Sequence, residues 1–226
     1  MSSSEFLQYV PIFSELPPET LEKIEQVGMK KKFLKDNLIL MEEEAGSALF
    51  VIITGKVKIS RSSSDGREVI FSILAGSDFF GEMAILDGQK RSANVVALED
   101  SELFIIDREQ FLELLKTHPE ISIALLYELS TRLRAADLKI KSLTLKDAEG
   151  KVAIVILQLA DEEGTIKQGI VEIEKLPLQQ DLANMAGTSR ETISRTLHSF
   201  VKKGLIELEG NKLRVLNYEK FKESYI

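Results

Sequence analysis

The chain has 226 residues, of which 44% are apolar, so it is long enough for one large domain or two modest ones. It contains no cysteine and only two histidines, His118 and His198. This composition excludes disulfides and iron–sulfur clusters, and it predicts a protein without a metal site or haem. The formal net charge of −7 excludes a protein that coats nucleic acid through bulk positive charge.

The two halves of the chain differ in charge, which indicates two modules with different partners. From Lys151 onward basic and acidic residues balance, so the surplus of negative charge lies before that point. The N-terminus has no basic start followed by an apolar run, and no stretch approaches eighteen apolar residues. We therefore expect a cytoplasmic protein that does not associate with a membrane.

The first half predicts a small antiparallel β-roll behind a short N-terminal helix. The helix opens near residues 13–19 and ends at Gly28. From residue 32 to residue 107, short β-prone runs alternate with glycine-containing turns, which is typical of a barrel or roll. These runs lie at residues 38–41, 49–53, 57–59, 69–74, 93–98 and 103–106.

A long helix is predicted over residues 119–145, because this segment has no internal glycine or proline. Its apolar residues recur at the seven-residue period of a coiled-coil seam. Two interpretations are open: the stripe pairs two copies of the chain, which we favour, or it packs on its own roll. A hinge follows at residues 146–150, with Asp147 as an N-cap. The predicted seam consists of Leu125, Leu129, Leu133, Ala136, Ile140 and Leu143.

Residues 178–203 predict a helix-turn-helix, since two apolar stripes of helical spacing flank a turn at Gly187. Gly187 can adopt a left-handed conformation without strain, and Thr188 with Glu191 can form a capping box for the second helix. Residues 206–215 alternate around a Gly-Asn turn and predict a hairpin wing. One polar side of the second helix would face DNA; its residues are Arg190, Ser194, Arg195, His198 and Lys202.

Two segments resemble the Crp/Fnr family, which comprises the cyclic-AMP receptor proteins and the fumarate and nitrate reduction regulators. Residues 80–93, FGEMAILDGQKRSA, are similar to the family's phosphate-binding cassette, and residues 188–195, TSRETISR, to its recognition helix. The resemblance implies an α+β fold: a jelly-roll-like cyclic-nucleotide-binding β-roll, a long dimerisation helix and a C-terminal winged helix-turn-helix. The corresponding domains are residues 1–118, 119–145 and 146–226.

The cassette suits a cyclic phosphodiester, which carries one negative charge on two oxygens. Arg91 supplies a guanidinium fork, Ser92 and Ala93 supply further donors, Gly81 allows close backbone approach, and Glu82 can accept from a ribose hydroxyl. The alternative is that Gly81 only turns the chain while Arg91 and Glu82 form an ordinary ion pair. The resemblance adds further contacts to the pocket: Ile59, Phe71, Ser72, Met83 and Arg132.

One departure from the family concerns recognition of the base. Where the cyclic-AMP receptor has a Thr-Ser pair on the long helix, this chain has Ala136 and Asp137. The Asp137 carboxylate could accept from an adenine amine or from the paired N1 and N2 donors of guanine. It could equally pair with Lys141 in solvent. Cyclic AMP, a cyclic guanine nucleotide and the absence of an effector therefore all remain open.

The recognition helix predicts direct contacts to bases. Arg190 and Arg195 can each bind guanine, and Glu191 can accept from cytosine, which predicts a G-rich step in each half-site. The resemblance to the family implies palindromic operators with TGTGA-like half-sites. Ser194 resembles the fumarate and nitrate branch and adds a contact. The remaining residues are predicted to contact or neighbour phosphates: Thr188, Ser189, Thr192, His198, Lys202 and Lys203.

These observations predict a homodimeric DNA-binding transcription regulator, not an enzyme, controlled by a small effector in the roll and acting on double-stranded DNA with RNA polymerase. A first alternative is an effector-independent regulator with a vestigial pocket. More remote are a cyclic-nucleotide-binding regulatory subunit that does not contact DNA and a cupin-like enzyme. The enzyme is disfavoured because no histidine lies between residues 32 and 107.

Overall fold

The computed structural model describes residues 5–167 and 169–225, and within that part the side chains of Ser142, Leu143 and Leu145 are left out of the description. The chain divides into two compact units, one ending at Leu133 and the other beginning at Arg134. This boundary falls inside the long helix that the sequence analysis treats as a separate segment. The three-part division therefore stays a prediction.

The N-terminal unit is built from eight strands and the helices around them. A 3-10 helix spans Glu5–Tyr9. The helices are α1 (Pro18–Val27), α2 (Glu82–Asp87), α3 (Arg108–Thr117) and the first part of α4 (Pro119–Leu145). The strands are β1 (Met29–Phe33), β2 (Leu38–Leu40), β3 (Ala48–Thr54), β4 (Val57–Ser62), β5 (Glu68–Leu74), β6 (Phe79–Phe80), β7 (Asn94–Ala97) and β8 (Ser101–Asp107).

These strands form two four-stranded antiparallel sheets, ordered β1-β8-β3-β6 and β2-β7-β4-β5, which confirms the predicted antiparallel roll. Successive residues of strand β3 are buried, and successive side chains of a strand point to opposite faces. Leu49 and Val51 join one apolar cluster, with Phe111, while Phe50 and Phe80 belong to the other. Both faces of this strand are therefore core.

The predicted dimer seam needs a correction at its start. Leu125 is only 3% exposed and packs in the cluster of the roll, and Leu129 packs against the same cluster. Leu126, Leu133 and Ile140 are exposed at a spacing of seven residues, and Ile123, Tyr127 and Leu138 are exposed elsewhere around α4. The predicted stripe lies on one helix face, which the roll covers at Leu125 and Leu129 and leaves exposed at Leu133 and Ile140. Ala136 is exposed, and the side chain of Leu143 lies outside the description.

The C-terminal unit contains the predicted helix-turn-helix and wing. Its helices after α4 are α5 (Ala148–Glu163), α6 (Gln179–Ala186), α7 (Arg190–Lys202) and α8 (Tyr218–Tyr225). The strands β9 (Thr165–Lys167), β10 (Ile170–Ile173), β11 (Ile206–Glu209) and β12 (Lys212–Val215) form one antiparallel sheet in the order β11-β12-β10-β9. The predicted N-cap is confirmed, since the Gly150 N–H donates to Asp147 Oδ1 at 2.8 Å.

Helix α8, which the sequence analysis did not predict, packs against α7 through aromatic rings and against α5 through hydrogen bonds. The buried ring of Phe200 meets Phe221 and Tyr225 edge-on, at 5.5 and 5.6 Å between centroids. Tyr225 Oη donates to Glu149 Oε1 at 2.6 Å, and Tyr218 Oη donates to an Asp161 carboxylate oxygen. Burial first, and then these hydrogen bonds, raise the pKa of both phenols. Helix α8 thereby fixes α7 from its apolar side.

We expect Phe200→Ala to cost about 3–5 kcal/mol of C-terminal unit stability, because it removes a fully buried ring from this aromatic cluster. The free energy of unfolding of this unit can be measured by amide hydrogen exchange at increasing denaturant concentration, with mass spectrometry detecting the exchange in peptides from residues 148–225. The neighbouring Val201→Ala variant is the matched control, since Val201 is 43% exposed and should change stability by about 0.5 kcal/mol or less. Equal protection in the two variants would contradict this account of the core.

Candidate nucleotide pocket and nucleic-acid interface

Arg91 is the central side chain of the predicted phosphate cassette, and it is 4% exposed. Its Nη1 donates to the Gly81 carbonyl at 2.7 Å, and its Nη2 donates to the Ala48 carbonyl at 2.9 Å. The guanidinium also lies 5.8 Å from the centroid of the Phe50 ring. Its Nε atom is buried and has no hydrogen-bond partner within residues 5–167 and 169–225. One donor of a rigidly held fork is therefore available.

Gly81 has the backbone conformation that this contact requires. Its φ of +88° lies in the left-handed region, which favours glycine. A Cβ atom at this position would lie 2.8 Å from Arg91 Nη1 and 3.0 Å from the Ala48 carbonyl oxygen. The close approach that the sequence analysis assigned to Gly81 is thus present, although here it is toward Arg91.

Burial lowers the pKa of the Arg91 guanidinium, and the nearby carboxylates of Glu82 and Glu44 act in the opposite direction. An arginine starts from so high a pKa that the group keeps its charge at neutral pH. A buried positive charge with an orphaned donor favours an anionic ligand.

Glu82 is 5% exposed and pairs with Arg132 rather than with Arg91. Arg132 Nη1 lies 3.3 Å from Glu82 Oε1, and Arg132 Nη2 donates to the Phe79 carbonyl at 2.9 Å. A further ion pair joins Arg132 Nε to Glu128 at 3.0 Å. The structure thus places Arg132 beside the cassette and pairs it with the carboxylate that is expected to meet a ribose.

Three of the remaining predicted pocket residues lie on the neighbouring strands β4 and β5. Ile59 and Ser72 are half-buried and lie opposite each other on β4 and β5, with a register shift directly after this pair. The shift makes Phe71 the additional residue of a β-bulge, and its ring is 42% exposed.

Three others belong to the cassette itself: Ser92 Oγ lies 3.7 Å from the exposed Met83 Sδ, and Ala93 is buried. Asp137 belongs to the other unit, where it is exposed.

The turn of the helix-turn-helix follows the prediction at Gly187, but the cap does not. Gly187 is left-handed with a φ of +59°, and its N–H donates to the Ala183 carbonyl. The N-cap of α7 is Ser189, whose Oγ accepts from the Thr192 N–H at 3.1 Å. The predicted Thr188–Glu191 capping box is therefore wrong, because α7 begins one residue later. Glu191 consequently stays exposed on the first turn.

The polar residues predicted to meet DNA lie on one side of α7, opposite a buried apolar stripe. Arg195 Nη2 lies 3.5 Å from Thr192 Oγ1, and the His198 ring lies 2.7 Å from the Ser194 carbonyl. The stripe consists of Ile193, Thr196, Leu197 and Phe200. The exposed polar residues are Ser189, Arg190, Glu191, Arg195, His198 and Lys202, with Thr188, Thr192 and Ser194 half-buried between them.

Comparison with known proteins places both units in one family. Residues 30–118 match the cyclic nucleotide-binding domain, and residues 150–224 match the Crp-like helix-turn-helix domain. A CRP-like cAMP-activated global transcriptional regulator from Mycobacterium tuberculosis is 32% identical over 216 residues, covering 96% of each chain. The chain belongs to the Crp/Fnr family.

A further relative and one solved structure are similar to this chain. The cyclic AMP receptor protein of Thermus thermophilus is 34% identical over 205 residues, covering 91% of this chain and 92% of that one. A CooA mutant from Carboxydothermus hydrogenoformans shares the fold with a TM-score of 0.79, at 22% identity, over 92% of this chain and 95% of that chain. This member of the Crp/Fnr family is thus a DNA-binding transcription regulator with a cyclic nucleotide-binding domain.

Two features of the described residues bear on other classes of site. Over residues 5–167 and 169–225, none of the helices has the length and apolar character that crossing a membrane requires. The same part of this Crp/Fnr chain contains no group of three His, Cys, Asp or Glu side chains suited to a metal ion.

Ser189→Ala should cost about 1 kcal/mol at the start of α7, because it removes the side chain that satisfies the Thr192 N–H. The matched control is Thr188→Ala, which removes a neighbouring hydroxyl that does not cap the helix. Hydrogen exchange at Thr192 and Ile193, resolved by NMR, measures the difference. A larger loss of protection in Thr188→Ala would show that the cap is misassigned.

Proposed function

We propose that the protein is a homodimeric, sequence-specific transcription regulator whose operator affinity is set by a cyclic nucleotide bound at Gly81–Ala93. The observation that carries this proposal is the buried guanidinium of Arg91, whose Nε has no hydrogen-bond partner in the described part of the chain. Relatives at 32% and 34% identity are named as a cAMP-activated regulator and a cyclic AMP receptor protein. A regulator, rather than an enzyme, is the activity that this site supports.

The residues of the cassette fit a cyclic phosphate. A buried donor without a partner costs about 1–3 kcal/mol, which a phosphate oxygen at Arg91 Nε would recover. The Ser92 hydroxyl is exposed beside the cassette and can donate to the second oxygen. Glu82 can accept from the ribose hydroxyl while it keeps its ion pair with Arg132. The bound nucleotide thereby links the cassette to α4.

The exposed stripe on α4 supports a dimer. Leu126, Leu133 and Ile140 are 64%, 64% and 63% exposed at a spacing of seven residues. Large apolar side chains in such a heptad repeat bury their surface when two helices pair. The seam thus keeps Leu133 and Ile140 of the original prediction and begins at Leu126. Ala136 would lie beside it.

Two copies of α7 would contact successive major grooves about 34 Å apart, on a palindromic operator with TGTGA-like half-sites. Arg190 and Arg195 supply bidentate contacts to guanine, and Glu191, free of the capping box, accepts from cytosine. Effector binding must favour the DNA-competent arrangement, and operator DNA must then raise effector affinity by the same factor. Such a regulator acts on transcription through RNA polymerase.

The base contact is assigned to Asp137, which lies exposed on α4. Its carboxylate accepts one hydrogen bond from adenine or two from guanine, so a cyclic purine nucleotide is the proposed class of effector. Among the described residues no ion pair joins Asp137 to Lys141, which leaves the carboxylate available. The two nucleotides are distinguished by the calorimetry below.

The second candidate, an effector-independent regulator, is favoured by the internal bonding of the pocket. Two nitrogens of Arg91 already donate to carbonyls, and Glu82 is already paired with Arg132. A pocket satisfied in this way can be stable without a ligand. Operator binding by nucleotide-free protein that added nucleotide leaves unchanged would select this candidate.

Arg190→Ala and Arg195→Ala should each weaken operator binding by about 1–3 kcal/mol per half-site and reduce discrimination against a shuffled duplex. Lys202→Ala is the control, because a phosphate contact weakens binding to both duplexes alike. Fluorescence anisotropy with a duplex carrying two inverted TGTGA half-sites measures both effects. Unchanged discrimination in both arginine variants would refute base contacts by α7.

Calorimetry with cyclic AMP and cyclic GMP tests the pocket. Arg91→Ala should weaken nucleotide binding by about 2 kcal/mol or more, roughly thirtyfold, because the phosphate loses its charged donor. Asp137→Ala should weaken the preferred nucleotide, and more strongly if that nucleotide carries guanine. Lys141→Ala serves as the control and should leave both affinities unchanged. If Asp137→Ala also changes neither, the base contact lies elsewhere.

A further inference from the structure

The wing sheet carries a ladder of alternating charge on one face. Arg214 of the central strand β12 lies directly between Glu172 of β10 and Glu207 of β11, and Lys212 lies opposite Glu209. The two cations are therefore flanked by carboxylates on both sides, which is the arrangement that stabilises cross-strand pairs. The opposite face of the sheet is buried through Val171, Ile173, Leu213 and Val215.

Glu172 binds both cations of the ladder at once. Its Oε1 lies 3.2 Å from Lys212 Nζ, and its Oε2 accepts from Arg214 Nε at 2.5 Å. Lys212 Nζ also donates to Glu174 Oε1 at 3.0 Å, and Arg214 Nη1 lies 3.8 Å from Glu207 Oε2. Two oxygens of one group thus hold an ammonium and a guanidinium, as the oxygens of a DNA phosphate would.

Glu172 and the two cations that it binds stay ionised at neutral pH. The hydrogen bond from Arg214, followed by those with Glu174 and Lys212, lowers the pKa of Glu172 from 4.5 to about 2. Hydrogen bonds to Glu174 and Glu172 raise the pKa of Lys212. A carboxyl whose pKa falls on folding stabilises the fold above its ordinary pKa, and this contribution is lost only as the pH falls toward 2. Protonation near neutral pH therefore does not free the cations.

The ladder lies next to the C-terminal end of the recognition helix. Val201 of α7 shares a groove of about 330 Å³ with five wing residues: Glu207, Leu208, Glu209, Lys212 and Arg214. Cations placed beside the end of α7 are within reach of the duplex that this helix contacts, and cations near phosphates add affinity without sequence preference. Four carboxylates against two cations leave the ladder with a formal charge of −2.

We propose that Glu172 acts as an internal substitute for a DNA phosphate, holding Lys212 and Arg214 so that the wing adds no sequence-independent affinity. Glu172 is thereby a specificity-determining residue that never contacts a base. The inference rests on the proposed DNA binding by α7. It explains how a chain with a formal net charge of −7 can discriminate among sequences, because most of its affinity for DNA then depends on α7.

The test replaces Glu172 with glutamine, which keeps the shape of the side chain and removes its charge. Glu172→Gln should bind a shuffled 26-base-pair duplex roughly three- to tenfold more tightly at low salt. The slope of log affinity against log salt should steepen by about one to two, because each additional phosphate contact changes this slope by about 0.9. Adding Arg214→Gln to Glu172→Gln should reverse most of the gain. Fluorescence anisotropy at salt concentrations between about 50 and 200 mM gives these slopes.

The matched control is Glu113→Gln, which makes the same change in net charge and frees Lys116, a surface cation in the other unit. Circular dichroism confirms that each variant is folded, and Glu174→Gln, which removes only one partner of Lys212, provides a milder second variant. Equal affinities and slopes for Glu172→Gln, Glu174→Gln and Glu113→Gln would overturn the proposal. The shuffled duplex needs neither operator nor effector, so a failure of operator recognition by the wild type is a separate result.

Discussion

The buried guanidinium of Arg91 is the interaction on which the nucleotide pocket depends. Taking this charge out of water is unfavourable, and the cost is offset by two carbonyl acceptors, a ring face and nearby carboxylates. The acceptors belong to Ala48 on β3 and Gly81 before α2, so one side chain holds together three segments that are distant in sequence. The geometry of the proposed phosphate end is therefore fixed by contacts within the roll itself.

The two units use positive charge in opposite ways. In the roll, Arg91 Nε has no partner among the residues that the structure describes, whereas in the wing Lys212 and Arg214 are held by Glu172. Exposed ion pairs of this kind add little to stability, but they decide which cations can meet a phosphate. The availability of charge, more than its amount, thus distinguishes a binding site from a surface. Net charge alone would have missed this distinction in a chain with a formal charge of −7.

The sequence predicted the sheets, the helix-turn-helix and the wing, because these depend on local periodicity and on turn residues. Gly187 and Asp147 behave as expected, since left-handed turns and N-caps are set by a few neighbouring residues. The errors concern tertiary packing. Leu125 turned toward the roll because only the three-dimensional core decides which helix face is covered. Ser189 took the cap because two adjacent hydroxyls satisfy the same local rule, and the contact of Tyr225 with α5 has no signal in a linear pattern.

The backbone at Gly81 has a consequence for how such pockets diversify. The left-handed φ of Gly81 and the 2.8 Å distance from a Cβ atom to Arg91 Nη1 make any other residue at this position strained. The proposed phosphate end is thereby restricted at Gly81, whereas Asp137, the proposed base contact, is exposed. If both proposals hold, a protein built on this scaffold could recognise a different base through a substitution on α4, without rebuilding the proposed phosphate anchor.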